Sequence, residues 1–309
     1  MAAKDGGSIA ATGGGPDPDY LPFHPAPSDP GFVPPVGAVD AHCHVFGPAA
    51  AFPFSPKRKY TPVDAPADRL FALRDHLGLS RNVIVQATCH GSDNTAMLDA
   101  IARSGGRARG VAVIDVETSG TELTRLHEGG VRGVRFNFLK RLVGDAPVAD
   151  YIRIAERIAE LGWHIVVYFE SAELEEFAPV IASLPGTVVI DHMGRPDVSD
   201  GLAGDGFSRV RALVESDDRF WIKVSCPERL TIAGPPYDDV VPFARTLVEA
   251  YPDRVLWGTD WPHPNMRSHM PDDGALVDMI PRIAPTETLQ RKLLVENPMR
   301  LYWPEEIGA

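Results

Sequence analysis

The sequence predicts an α/β fold, a (β/α)8 TIM barrel. Three observations lead to this prediction: β-rich runs alternate with helical patterns, there are eight such runs, and polar side chains recur where the runs end. An open doubly wound sheet is the competing arrangement. It usually has fewer strands and a G-x-G-x-x-G loop after the first one, and the sequence contains no such loop.

The eight predicted strands are short and apolar, as expected for strands buried inside a parallel sheet. They cover residues 38–45, 82–88, 109–115, 131–138, 164–170, 187–194, 220–226 and 255–261. Helical patterns lie between most of them, for example at 67–78, 94–105, 122–130, 151–162 and 240–251. Several of these patterns end at a glycine, the residue preferred just beyond a helix C-terminus.

The first 36 residues differ in composition from the rest of the chain. They are rich in Gly, Pro, Asp and Ser, and they cannot bury enough apolar surface to offset the entropy of ordering. We therefore predict a flexible or extended N-terminal arm over residues 1–36, laid on the surface of a single barrel domain over residues 37–309.

The amino-acid composition of the chain limits the kinds of molecule and surface that it can bind. The formal net charge of −12 argues against binding to nucleic acid or to an anionic membrane surface, because both need a basic face. No run approaches the roughly 20 apolar residues that span a membrane, and the N-terminus lacks the apolar segment of a secretory signal. The three cysteines, Cys43, Cys89 and Cys226, have no paired spacing, so we expect a reduced, cytoplasmic protein. The oligomeric state stays open.

Polar side chains at the predicted strand ends form the candidate active site, because a TIM barrel carries its site at the C-terminal ends of the strands. In chain order they are His42 and His44, Thr88, Arg135 and Asn137, Tyr168, His192, Ser225 and Asp260. A single strand histidine is usually a hydrogen-bonded core residue, but packing alone would not place so many costly polar groups at one rim. Gly258 shares a face with Asp260, and we expect it to leave room there for a water molecule.

An H-x-H on strand one, a histidine on strand six and an aspartate on strand eight resemble the amidohydrolase superfamily. The segments DAHCHVFGP, RKYTP, NVIVQATCHGSDN, VRGVRFNFLKRL, DHMGRPD, KVSCPERL, GTDWPHPN and ENPMRLYWP resemble, within it, the 2-pyrone-4,6-dicarboxylate lactonase family. The resemblance covers roughly residues 36 to 304, everything but the arm. H-x-H alone is a weak signal, whereas these eight segments in this order are highly specific.

The resemblance implies the roles of ten residues. Asp260 would activate water as the general base, and His42, His44 and His192 would surround the scissile lactone carbonyl. The residues that would hold the substrate and its two carboxylates are Tyr60, Thr88, Arg135, Arg141, Tyr168 and Arg229. The implied reaction opens 2-pyrone-4,6-dicarboxylate to 4-oxalomesaconate, reversibly, in the catabolism of protocatechuate and other lignin-derived aromatic compounds.

The same rim residues also predict the charge of the substrate and whether the enzyme requires a metal. Arg135, Arg141 and Arg229 lie at or just beyond strand ends, and guanidinium groups suit the carboxylates of a small dianionic lactone. Arg135 and Tyr168 occupy the positions on strands four and five where metal-dependent amidohydrolases carry ligands. We therefore expect no required cofactor and no metal ligands, although His42, His44 and Asp260 could capture an adventitious zinc ion.

Three other functions stay open at this point. A 4-sulfomuconolactone hydrolase would use a related scaffold, and arginines suit its sulfonate as well. A metal-dependent decarboxylase of the same superfamily would need a metal and release carbon dioxide. A non-catalytic anion-binding protein would bind a dicarboxylate without turnover, but it would have no use for an acid–base aspartate beside carbonyl-polarising histidines.

Overall fold

The computed structural model describes residues 15–139, 141–142 and 147–307. Its centre is one sheet of eight parallel strands that follow one another in chain order. The strands are β1 (Val39–Cys43), β2 (Arg81–Val85), β3 (Ala108–Ala112), β4 (Val131–Asn137), β5 (His164–Tyr168), β6 (Val188–Ile190), β7 (Phe220–Lys223) and β8 (Val255–Leu256). This order of strands confirms the predicted (β/α)8 architecture.

Backbone hydrogen bonds between β1 and the chain at β8 close the sheet into a barrel. The amide of Ala41 donates to the carbonyl of Trp257 over 2.9 Å, and the amide of His44 donates to that of Trp261 over 2.7 Å. Between them, the amide of Asp260 donates to the carbonyl of His42 over 2.8 Å. This closure brings the H-x-H segment beside Asp260, more than 200 positions later in the chain.

Helices surround the barrel and bury its outer face. They are α1 (Ala67–His76), α2 (Thr95–Arg103), α3 (Gly120–Glu128), α4 (Val148–Ala159), α5 (Leu174–Ser183), α6 (Asp205–Ser216), α7 (Val241–Ala250), α8 (Asp273–Asp278), α9 (Ile280–Ile283), α10 (Glu287–Arg291) and α11 (Asn297–Tyr302), with a π-helical segment, Lys292–Glu296, before α11. A large apolar core fills the space between helices and strands, and a smaller cluster fills the barrel interior. Among the described residues, no helix has the length and apolar character needed to cross a membrane.

A bulge in β1 decides where the two histidines point. Asp40 pairs with Asn82 on β2 and Cys43 pairs with Ile84, so β1 has one extra residue in between. Val39 and Ala41 belong to the interior cluster, whereas the buried thiol of Cys43 belongs to the outer core. Simple alternation from Ala41 would direct Cys43 inward, but the bulge shifts the phase and directs His42 inward instead.

All eight strands end earlier than the sequence predicts, and β6 and β8 do so by the most, at Ile190 instead of 194 and at Leu256 instead of 261. The backbone adopts positive φ angles at His192 (50°), Cys226 (58°) and Asp260 (66°), a few residues beyond the ends of β6, β7 and β8. Left-handed backbone is uncommon for residues other than glycine and cannot continue a strand. The catalytic candidates His192 and Asp260 therefore lie in turns beyond the strands, where the chain bends toward the barrel axis.

The described part of the arm, residues 15–36, has no helix or strand but is hydrogen-bonded to the barrel. The backbone amide of Leu21 donates to the carbonyl of Met266 over 2.8 Å. The amide of Asp17 donates to the carbonyl of Thr61, and the amide of Thr61 donates to the Asp17 carboxylate, both over 2.8 Å. The amide and hydroxyl of Ser28 donate to the Asp272 carboxylate. The arm thus joins the segment before α1 to the segment after β8. The division into an arm and a single domain stays a prediction, and residues 1–14 lie outside the described residues.

Candidate active site

A cavity with an empty volume of about 410 Å³ opens at the C-terminal ends of the strands. Nine of the ten predicted site residues line it: His44, Tyr60, Thr88, Arg135, Arg141, Tyr168, His192, Arg229 and Asp260. The tenth, His42, is fully buried and touches the lining, with its ring 5.0 Å from that of His44 and 4.6 Å from that of His192, between centroids. Asn137 also lines the cavity, as its position on the inward face of β4 predicts.

The carboxylate of Asp260 is the centre of the site. Its Oδ1 atom lies 3.1 Å from Nε2 of His44, 3.4 Å from Nε2 of His42 and 3.8 Å from Nε2 of His192. Its Oδ2 atom accepts hydrogen bonds from Nε and Nη2 of Arg229, at 3.2 and 3.0 Å. Burial alone would raise the pKa of Asp260, but Arg229 and His44 hold it well below its usual value, so the carboxylate is ionised.

The hydrogen bonds of His44 orient it toward Asp260. Its Nδ1 atom is 2.7 Å from the carbonyl oxygen of Val85. A carbonyl can only accept, so Nδ1 donates, and Nε2 faces the Asp260 carboxylate. The two side chains are placed to exchange a proton with each other and with a water molecule in the cavity.

His192 is the third histidine that faces Oδ1 of Asp260. Its Nδ1 atom is hydrogen-bonded to Oγ of Ser225 at 2.8 Å, and its ring packs edge-on against Tyr168, with centroids 5.1 Å apart. Burial, together with the neighbouring His42, lowers the pKa of His192 well below its usual value. The ring is therefore neutral and can offer a hydrogen bond without carrying charge.

The three predicted clamp arginines line the cavity, but each already has a partner in the protein. Nε and Nη2 of Arg135 donate to Oδ2 of Asp191 over 2.9 and 2.8 Å. Arg229 is paired with Asp260, and the half-exposed Arg141 lies 3.3 Å from Glu170. Among the charged lining residues of the cavity there are three arginines and one aspartate, so the lining carries two positive charges in excess.

Sequence reasoning missed two buried residues beneath the cavity, Asp191 and Lys223. Nζ of Lys223 lies 3.0 Å from Nδ1 of His42 and 3.2 Å from Oδ1 of Asp191. A signal for Lys223 existed in the sequence: in FWIKVSC it shares the inward face with Ser225. Asp191 directly precedes His192, and strict alternation would allow only one of the two to point inward. The left-handed turn at His192 lets both do so.

The expectation that Gly258 leaves room for water is wrong. A Cβ atom on Gly258 would lie 2.4 Å from the backbone nitrogen of His42 and 2.6 Å from its Cβ atom. The glycine is needed because β1 approaches the chain closely at this point, where the barrel closes. Water must therefore reach Asp260 from the open cavity.

Three side chains of the site form a potential metal-binding group. One ligating atom from each of His42, His192 and Asp260 lies within 4.8 Å of the other two. However, two of these three side chains already contact cations, because Lys223 lies against His42 and Arg229 against Asp260. A divalent ion between them would be repelled by both cations. The two cations therefore disfavour a resident metal at this donor set.

A closed (β/α)8 barrel with an H-x-H segment at β1, a histidine after β6 and an aspartate after β8 defines a hydrolase of the amidohydrolase class. The match to the amidohydrolase family spans residues 39–303, and the chain belongs to that family.

Its relatives include lactone hydrolases. The chain is 59% identical over 298 residues to 2-pyrone-4,6-dicarboxylate hydrolase of Comamonas testosteroni, covering 94% of this chain and 98% of that protein. It is 42% identical over 274 residues to 4-sulfomuconolactone hydrolase of Rhizobium radiobacter, covering 88% and 91%. A crystal structure from Acinetobacter baumannii with citric acid bound, considered a 2-pyrone-4,6-dicarboxylic acid hydrolase, has a TM-score of 0.74 at 27% identity and covers 87% of this chain and 100% of that one. The resemblance read from the sequence motifs is confirmed, and the chain is a lactone hydrolase.

Proposed function

We propose that this enzyme hydrolyses the lactone ring of 2-pyrone-4,6-dicarboxylate to 4-oxalomesaconate, reversibly and without a required metal, in the catabolism of aromatic compounds. One observation carries the proposal: an ionised aspartate ringed by three imidazoles lies at the floor of a cavity with an excess of two positive charges. The 59% identity to the Comamonas testosteroni hydrolase supports this substrate. The three free, buried cysteines support a reducing, cytoplasmic location.

The two carboxylates of the substrate bind the three arginines. Arg135 and Arg229 are largely buried, so their charges are weakly screened and act strongly on a dianion. The charge excess of the cavity lining is confined to this site, whereas the whole chain carries a net charge of −12. Tyr60, Thr88 and Tyr168 complete the walls and fix the orientation of the ring.

Asp260 and His44 activate the attacking water. The water enters from the cavity and binds near Oδ1 of Asp260, beside Nε2 of His44. It attacks the lactone carbonyl as its proton passes to this pair. In the reverse direction the pair returns the proton to the hydroxyl group that leaves.

His42 and His192 act on the carbonyl oxygen. Their Nε2 atoms lie 3.4 and 3.8 Å from Oδ1 of Asp260, and hydrogen bonds from them stabilise the negative charge of the tetrahedral intermediate. Collapse of the intermediate breaks the bond to the ring oxygen. That oxygen leaves as an enolate, takes up the proton held by Asp260 and His44, and the enol tautomerises to the keto product.

Arg229 links substrate binding to basicity. In the free site its guanidinium holds the pKa of Asp260 well below the usual range, which makes the carboxylate a weak base. A substrate carboxylate competes for the same guanidinium and weakens this pairing. Binding of the correct dianion therefore raises the basicity of Asp260 at the time it is needed.

The direct test is the loss of ultraviolet absorbance when the purified protein is added to 2-pyrone-4,6-dicarboxylate. The protein is first dialysed against a chelator and shown by elemental analysis to hold far less than one metal per chain. We expect most activity to remain. 4-Sulfomuconolactone is assayed in parallel, and faster turnover of that lactone would transfer the proposal to it. Activity that disappears on dialysis and returns with zinc would overturn the metal-free mechanism.

A further inference from the structure

The ring of His42 lies between a lysine and a carboxylate. On one side, Nζ of Lys223 is 3.0 Å from Nδ1 of His42, and both side chains are fully buried. On the other side, Nε2 of His42 is 3.4 Å from Oδ1 of Asp260. Within the described part of the chain, this buried Nε2 atom has no hydrogen-bond partner. It is therefore free to interact with whatever occupies the space above Asp260.

The position of the proton on His42 depends on what Nδ1 contacts. An ammonium group has only hydrogens to offer, so an Nδ1 atom that is hydrogen-bonded to it must present its lone pair. Oδ1 of Asp191 also lies 3.2 Å from Nδ1, but no hydrogen bond of good geometry joins these two atoms, and the same oxygen lies 3.2 Å from Nζ of Lys223. The orientation of the His42 ring thus gives Nδ1 a hydrogen bond with Lys223 and not with Asp191.

The positive charge of Lys223 is paired with the Asp191 carboxylate, 3.2 Å from its Nζ atom. Burial lowers the pKa of Lys223, while the neighbouring Asp191 acts in the opposite direction. The Asp191 carboxylate itself is ionised, because Lys223 and Arg135 lower its pKa against the effect of burial. The same burial and the Lys223 charge lower the pKa of His42 to about 3, so its ring is neutral and carries one proton.

We propose that Lys223 is a positioning residue that fixes the single proton of His42 on Nε2, so that the site polarises a carbonyl instead of binding a divalent metal. This inference rests on the proposed lactonase function, because it explains why His42 donates to the substrate. A metal ion needs the lone pair of Nε2. With Lys223 in place, that lone pair becomes available only if the ring proton moves to Nδ1, directly against the ammonium group.

Removal of Lys223 should therefore turn the site into one that binds a divalent metal ion more tightly. In a Lys223→Met variant, Nδ1 of His42 can carry the proton and donate it to Asp191, whose Oδ1 atom is 3.2 Å away and otherwise unsatisfied among the described residues. Nε2 then presents a lone pair beside His192 and Asp260, the other two members of the potential metal-binding group. A repulsive charge is lost at the same time.

The first experiment needs neither substrate nor variant activity. Two-bond ¹H–¹⁵N spectra of the wild-type protein distinguish a protonated ring nitrogen from an unprotonated one, with the His42 signals assigned by their loss in a His42→Gln variant. We expect Nε2 to be protonated and Nδ1 to accept. A proton on Nδ1 in the wild-type protein overturns the proposal, whether or not the protein hydrolyses the pyrone.

The second experiment measures zinc affinity by calorimetry on chelator-treated protein. We expect Lys223→Met to bind zinc at least ~10-fold more tightly than wild type, the scale of one modest charge contact. Adding His192→Gln to this variant should remove the gain, which places the zinc at the predicted group. Lys292→Met is the control, because Lys292 forms an exposed ion pair with Asp253. Unchanged zinc affinity in a folded Lys223→Met protein overturns the proposal.

The kinetics separate positioning from a purely structural role. Loss of one donor to an oxyanion typically lowers kcat by ~10²-fold or more, so we expect that loss in Lys223→Met with KM within about three-fold of wild type. A folded variant with wild-type kcat overturns the proposal. If wild-type protein does not hydrolyse the pyrone at all, the proposed function fails, while the spectra and zinc titrations still decide the position of the proton.

Discussion

Replacing Asp260 with asparagine tests the centre of the mechanism with little structural disturbance. The amide oxygen can accept the hydrogen bonds that Arg229 now donates to Oδ2, at 3.0 and 3.2 Å. The amide nitrogen then takes the place of Oδ1, 3.1 Å from Nε2 of His44. The new side chain has the size of the old one and keeps the contacts with Arg229, so Asp260→Asn should fold normally and keep the cavity.

The variant nevertheless lacks a group that accepts the proton of the attacking water. General bases contribute ~10²- to 10⁴-fold to rates, and Asp260 also positions that water, so we expect kcat to fall by at least ~10³-fold. This corresponds to about 4 kcal/mol of lost transition-state stabilisation. The affinity for 2-pyrone-4,6-dicarboxylate should stay the same or rise, because Arg229 is no longer neutralised by a carboxylate.

The assay combines two measurements on each protein. Calorimetry gives the affinity for the pyrone dicarboxylate, and the fall in ultraviolet absorbance gives the rate of hydrolysis. Asp253→Asn is the matched control, because it makes the same chemical change in an exposed ion pair with Lys292. Hydrolysis by Asp260→Asn within ten-fold of the parent would refute the assignment of the base.

Three further predictions concern the charged side chains Arg141, Asp260 and His263. Arg141 is half exposed and contacts Glu170 only weakly, so Arg141→Met should leave the melting temperature unchanged. The same variant should lower kcat/KM by ~10²-fold in the hydrolysis assay, because it loses a contact with a substrate carboxylate. Near-normal kinetics would contradict a dianion clamp. Because Arg229 and His44 hold the pKa of Asp260 well below its usual value of about 3.9, kcat/KM for hydrolysis should not decline until the pH falls below that usual value; a decline centred near pH 6 would assign that step to another group. Burial alone would lower the pKa of His263, but Asp273 and Glu228 raise it to about 10. The protonated His263 therefore stabilises the fold fully below its unfolded pKa near 6.5, and this stabilisation is lost as the pH rises through 10. The free energy of unfolding, measured from pH 7 to 10, should fall less in His263→Gln than in wild type.

The overall fold was predictable because it depends on local patterns. Eight apolar runs separated by helical patterns are visible without any knowledge of tertiary contacts, and each observed strand falls within or at the edge of its predicted run. The same holds for the cavity, since the C-terminal ends of barrel strands always meet at one rim. Placing Arg135, Tyr168 and Asp260 at the C-terminal ends of strands four, five and eight was enough to place them together.

What the sequence could not predict depends on pairings across the barrel. Nothing local shows that Lys223 lies against His42, 181 positions away, or that Arg135 and Arg229 are already bound to carboxylates. The role of Gly258 was misread for the same reason, because the close approach of β1 arises only when the barrel closes. The bulge in β1 is also invisible in the sequence, yet it determines which of His42 and Cys43 points inward.

The N-terminal arm implies an order of assembly that is opposite to the order of synthesis. Ser28 is made early, but its partner Asp272 lies 244 positions later, and Phe32 waits in the same way for Asp278. Contacts of such long sequence separation form late, because the intervening chain must be ordered first. We expect the arm to dock last in folding and to detach first under mild denaturation. Since it joins the segments that carry Tyr60 and Asp260, its detachment should release the walls of the cavity before the barrel itself unfolds.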